Sequence, residues 1–172
     1  MLEKRGNPVK EIERYQFNWM TMRSAAMLSD GSDLDAFKKT IAKNAKFKDL
    51  VKKMESLLPL VELAAACTGD DAAKAKCFGE KLKDNNPDIR EKAAWELTRL
   101  APDAARPVIL ANLETQFLDT RNILAGGVYQ MRGADAAKTV QTILDKKESG
   151  PDFKNSAVRL RLLKAFVTNN PK

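Results

Sequence analysis

An all-α fold follows from three features of this 172-residue chain. The chain repeats itself: Asp88-Ile89-Arg90 recurs as Asp119-Thr120-Arg121, 31 residues later. At the same offset Ala93 falls on Leu124, Ala94 on Ala125, Leu97 on Val128, Leu100 on Met131, Ile109 on Val140 and Leu113 on Leu144. Within each copy, small or apolar residues recur at i, i+4 and i+7, which is one face of an α-helix. The composition favours helix over sheet: Ala, Leu, Lys, Glu and Asp dominate, aromatics make up only 6%, and no run alternates as a strand would. A period in the thirties with two helices per unit is the mark of an α-solenoid.

Taken in order, residues 1–8 read as a loose segment ending at Pro8. From Val9 to Leu28, Ile12, Tyr15, Trp19, Met22 and Ala26 form one apolar seam, with Met20, Met22 and Met27 as adaptable packing atoms. That seam packs on its own domain or docks a partner. Ser29–Ser32 is a turn, with Gly31 just past one helix and Ser32 as cap of the next. Leu34, Phe37, Ile41 and Ala45 give a short second helix. Lys38, Lys39, Lys43, Lys46 and Lys48 lie between them, either as a solvated face or as a contact for an anionic ligand.

Phe47 to Cys67 is the third helix, with Leu50, Met54, Leu57, Val61 and Ala64 on one face, and Pro59 predicts a kink or a restart. After the turn Thr68–Asp71, residues 72–83 form a fourth helix with Ala73, Cys77, Phe78 and Leu82 inward. Asn86 caps the next helix, and Pro87 fits its first turn. Pro102-Asp103 separates that helix from its partner, which Asp103 can cap. Pro107 falls near the partner's start, where a missing N–H costs little. Gly133 takes the equivalent break one copy later. Arg159, Leu162 and Phe166, 38 residues beyond Arg121, Leu124 and Val128, begin a partial third copy.

The segments PDIREKAAWELTRLAPDAARPVILANLE and, less closely, LDTRNILAGGVYQMRGADAAKTVQTIL resemble the HEAT-repeat family, and KNSAVRLRLLKAFVTN resembles the first helix of a further unit. The resemblance is clearest over residues 86–168 and departs at Thr120, where the family has an apolar residue, and at the mid-helix pair Gly126-Gly127. It implies a right-handed α–α superhelix of HEAT-like helix pairs with an N-terminal helical cap. The 172 residues then form one helical-repeat domain: capping helices over 1–46, a degenerate repeat over 47–85, repeats over 86–117 and 118–149, and a partial repeat or C-terminal cap over 152–170. In such arrays Asp88, Arg90, Asp119, Arg121 and Arg159 form a ladder between units. Trp95 falls on the outer side of its helix by period, opposite Gly126 in the next copy.

Thirty Lys and Arg stand against 23 Asp and Glu, for a net charge of +7. Interleaving of the two signs reads as a solvated basic surface, although an acidic protein, nucleic acid or an anionic membrane would also meet it. The chain has no histidine, so the commonest general base and metal ligand is missing. No P-loop, nucleotide fingerprint or nucleophile elbow occurs. Asp70-Asp71 and Asp33/Asp35 sit at helix starts, where the helix dipole accounts for them. The expectation is a protein without catalytic residues, metal or cofactor.

Cys67 and Cys77 are the only cysteines, ten residues apart across one turn. A fourth helix starting near Ala73 brings them within bridging distance, roughly 4.4–6.8 Å between Cα atoms. One starting at Asp70 carries Cys77 past Cys67. The readings are a disulfide, implying a periplasmic or secreted protein, and two small buried hydrophobes in a cytoplasmic one. Their placement before the first clear repeat also resembles that in extracytoplasmic bacterial HEAT-repeat proteins. The longest apolar run, Leu57 to Cys67, is broken by Pro59 and Glu62, so no segment is expected to span a membrane. The opening MLEKRG is polar, unlike a secretory leader.

The leading functional expectation is a non-enzymatic scaffold for a protein or peptide. Solenoids present a concave surface lined by the second helix of each unit. That surface nominates Lys74, Lys81, Arg106, Asn112, Glu114, Lys138, Gln141 and Asp145. The alternative partner is nucleic acid, since some HEAT-like proteins are alkylpurine DNA glycosylases; Trp19, Trp95, Tyr15 and Tyr129 are the aromatic candidates to stack on a base.

Overall fold

The computed structural model describes residues 19–131 and residue 138. Every regular element among them is a helix: α1 (19–28), α2 (Leu34–Lys43), α3 (Lys48–Ala66), α4 (Asp71–Lys81), α5 (Pro87–Arg99), α6 (Pro102–Asn112) and α7 (Leu118–Met131). The expected positions Ile12, Tyr15, Gly133, Val140, Leu144, Leu162, Phe166 and the segment 152–170 lie outside the described residues.

The chain divides into two compact units between Ala66 and Cys67. In the first, α2 packs on α3. Its core is Ala26 and Met27 of α1 with Met54, Leu57, Leu60, Val61, Leu63 and Ala64 of α3. Each buried Leu contributes roughly 1.5–3 kcal/mol over an exposed one, and α3 supplies three of them. The α1–α2 turn needs glycine twice over. Gly31 has φ +89°, and a Cβ there would run into the backbone of Ala64 and Ala65.

Two helix-end expectations are settled in this unit. α3 does not restart at Pro59: it is one helix from Lys48 to Ala66 with the proline inside it, and apolar residues are buried on both sides. Ser32 does not cap α2. Asp33 occupies that position without a side-chain cap bond, and the Ser32 N–H is taken by Asp30 Oδ1 at 3.0 Å. The Asp33 carboxylate instead accepts from the Ser29 hydroxyl.

In the second unit α4 packs on α5 and α6, and α7 packs on α5 and α6. The register is regular. α6 begins and ends 31 residues after α4, and α7 begins 31 residues after α5. Buried side chains keep that spacing: Phe78 with Ile109, Leu82 with Leu113, Ala93 with Leu124, Ala94 with Ala125, and Leu97 with Val128. Two glycines let helices close up. A Cβ on Gly79 of α4 would sit 2.6 Å from Val108 Cγ1 of α6, and one on Gly127 of α7 would sit 2.8 Å from Thr98 Cγ2 of α5.

The helix starts follow their sequence signals in part. Asn86 caps α5 by accepting the Asp88 N–H at 3.0 Å, with Pro87 in the first turn. Asp70 caps α4 by accepting the Ala73 N–H at 2.8 Å. α6 differs from expectation: Pro102 opens it, so Asp103 already lies in its first turn and cannot be the cap. The preceding Ala101 N–H is satisfied from another helix, by Asp71 Oδ2 at 2.9 Å. Ala73, expected inward, is exposed, and Ala75 is buried in its place. Ala75 lies three residues before Phe78 and seven before Leu82, so these three share the buried face, while Ala73 lies five before Phe78 and falls off it.

Candidate functional site

Cys67 and Cys77 are joined by a disulfide with Cα atoms 5.5 Å apart. α4 nevertheless starts at Asp71, nearer the start thought to carry Cys77 past its partner. The Gly69 turn, at φ +103°, allows the approach by folding the chain back before the helix begins.

At the α5–α7 edge, Arg90 is largely buried at 8% exposure. It donates through Nη1 to the carbonyls of Asp84 at 2.8 Å and Asn85 at 3.2 Å, and pairs with Asp119 of α7 at 3.5 Å. Its guanidinium lies 3.8 Å from the centre of the Phe117 ring. Arg121 donates through Nε and Nη2 to the carbonyl of Thr115, at 3.0 and 2.7 Å. The backbone N–H of Asp88 meets the Asn86 side chain at the start of α5. Arg159 lies outside the described residues. The Phe117 stack carries no repeat signal, so the sequence did not point to it. Nor did it mark Lys92, which is fully buried with Nζ 3.2 Å from Glu96 Oε1; Arg99 shares that carboxylate at 3.0 Å.

α4 and α6 leave an open groove of about 460 Å³ between them. Gly79, Pro107, Val108 and Ala111 form its apolar floor, and Lys76, Glu80, Lys83 and Asn112 form its rim. Positions 76, 79, 80 and 83 fall on one helical face by the i, i+3, i+4, i+7 rule. The groove is shallow because the residues under it are small. Asn112 is fixed by donating to the Val108 carbonyl at 2.8 Å. This arrangement offers apolar contact along the floor and charges of both signs at the edge.

Of the six nominated residues among the described ones, only Asn112 lines the groove. Lys74 and Lys81 lie on the other face of α4, half-buried and exposed respectively. Arg106 is half-buried on α6 away from the lining, Glu114 is exposed beyond the end of α6, and Lys138 is exposed in a helical residue. Gln141 and Asp145 lie outside the described residues. Lys76, Glu80 and Lys83 were missed; their spacing around Gly79 is the signal that could have found them. Trp95 is 44% exposed on α5, as its period implied.

Among the described residues, no group of histidine, cysteine and carboxylate side chains is placed to hold a metal ion, and no helix is long and apolar enough to cross a membrane. No family model, curated protein or solved structure matches the chain.

Proposed function

We propose that this chain is a non-enzymatic interaction scaffold built from HEAT-like helix pairs, and that the α4–α6 groove docks an extended peptide segment of a partner protein. The observation that carries this reading is the groove itself: two second helices drawn together at Gly79 and Val108, with a floor of small apolar residues and lysines on its rim. The 31-residue register of α4 with α6 and of α5 with α7 supports the helix-pair array and its right-handed superhelix. The Arg90–Asp119 contact supports the ladder that the resemblance implies.

The occupant is a segment with small apolar residues flanked by acidic ones. The former fit the floor, and the latter meet Lys76 and Lys83. Each exposed pair contributes only about 0.2–1 kcal/mol, so apolar contact supplies affinity and the lysines supply register. The Cys67–Cys77 disulfide supports the reading that this scaffold works in an oxidising compartment, periplasmic or secreted.

Selection from a random peptide display library tests the site. Enriched sequences should carry acidic residues around a small apolar centre. Their binding should be lost in Ala111→Glu and kept in a Lys74→Glu/Lys81→Glu variant, with the melting temperature unchanged in both. No enrichment, or the opposite pattern of loss, rejects the groove.

A further inference from the structure

The first unit carries a surface that the groove reading does not use. Between Lys43 at the end of α2 and Lys52 in the first turns of α3, ten residues hold four lysines and one acid. Lys43, Lys46, Lys48 and Lys52 are all exposed. At the centre of this run stands Phe47, a large apolar side chain 51% exposed. The connection is built rather than loose: the Phe47 N–H donates to the Asn44 carbonyl at 2.8 Å, and the Phe47 carbonyl accepts from Val51 N at 3.0 Å. Phe47 is therefore held at the junction between the two helices. The Lys46 ammonium lies 5.0 Å from its ring centre, over the ring face. The one acid, Asp49, sits in the first turn of α3, where the positive helix end engages it.

We propose that the α2–α3 turn is a docking site for an anionic lipid bilayer. Phe47 dips into the interfacial region, and Lys43, Lys46, Lys48 and Lys52 meet the lipid phosphates. A single weak apolar anchor holds a protein at a membrane only when a second, electrostatic signal accompanies it, and this turn supplies both within ten residues. The chemistry favours a membrane over nucleic acid. Sequence-tolerant binding of single strands needs a row of rings on which successive bases stack, whereas this turn presents one ring among lysines. It favours a membrane over an acidic peptide because an exposed ring set among exposed lysines meets the apolar and phosphate layers of a bilayer together.

The experiment is sedimentation of the full chain with vesicles of equal parts phosphatidylglycerol and phosphatidylcholine, beside vesicles of phosphatidylcholine alone and a short DNA duplex. Retention is expected on the anionic vesicles at low salt and absent on the neutral ones. It should fall about fivefold for each lysine neutralised and about tenfold in Phe47→Ser. Phe47 is exposed, so that variant should keep the wild-type melting temperature. Ala111→Glu should be retained like wild type, which separates this surface from the peptide groove. No retention on anionic vesicles overturns the proposal. So does retention that Phe47→Ser leaves unchanged while the duplex binds equally well, because the turn would then be a general polyanion contact.

Discussion

At the start of α5, Arg90 donates to the carbonyl of Asp84; at the start of α7, Arg121 donates to the carbonyl of Thr115, 31 positions after Asp84. The same clasp is made twice, but its surroundings differ. Arg90 also holds the Asn85 carbonyl, pairs with Asp119 and stacks on Phe117. Behind the first clasp the core position is Ile89, and behind the second it is Thr120, fully buried with no partner for its hydroxyl oxygen. Further along, α5 has Trp95-Glu96 where α7 has Gly126-Gly127. The backbone register survives these exchanges, so it rests on the conserved spacing of buried apolar contacts and on the arginine clasps more than on any one intervening side chain.

Breaking the clasps should rank them. Arg90→Ala is expected to cost about 3 kcal/mol, because it removes a buried cation that holds two part-buried carbonyls, pairs with Asp119 and stacks on Phe117. Arg121→Ala should cost about half as much; urea midpoints compare the two, and equal costs would show that the Asp119 and Phe117 contacts add nothing. The entries to α4 and α6 differ in the same way, since only α4 has a disulfide ahead of it. Reduction, or Cys67→Ser/Cys77→Ser, should cost about 2.5 kcal/mol for so short a loop. Urea unfolding with and without reductant measures this cost, while intact mass after alkylation without reductant should show no modified thiol.

The paired glycines of α7 give effects of opposite sign. Gly127→Ala should destabilise by about 1–2 kcal/mol, because its Cβ would meet Thr98 Cγ2 at 2.8 Å and Ile109 Cδ1 at 3.1 Å. Thr120→Val should stabilise by about 1 kcal/mol, since it removes a buried hydroxyl that has no partner and keeps its shape. Gly126→Ala should stabilise by less than about 1 kcal/mol, as its Cβ meets nothing within 4 Å and only helix propensity changes. Thermal melts of the three variants read the signs directly.

The helices themselves were legible because apolar spacing and end signals report on local physics. Asn86-Pro87 placed the start of α5, and the 31-residue offset anticipated which residues of α7 are buried. Trp95 was correctly turned outward by its period. The cap of α6 was not legible, because its donor is met by Asp71, 30 residues away. Of the kink or restart that Pro59 predicts, the restart does not occur, because burial on both sides holds α3 together as one helix. The site was largely illegible for a related reason. A groove floor is made of small residues that carry no chemical signature, and its position depends on how closely α4 approaches α6. Lys74 and Lys81, expected on a concave face, do not line the groove, whereas Lys76 of the same helix and Lys83 just past its end do.

That approach of α4 to α6 is the central claim, and a double-mutant cycle on Gly79 and Val108 tests it most directly. Gly79→Ala alone should cost about 2 kcal/mol, because a methyl group is forced against Val108. In a Val108→Ala background the cost should vanish, and the substitution should become stabilising by up to about 1 kcal/mol through helix propensity. If Gly79→Ala costs the same in both backgrounds, the two helices do not meet there, and neither the groove nor the stacked register that forms it can stand.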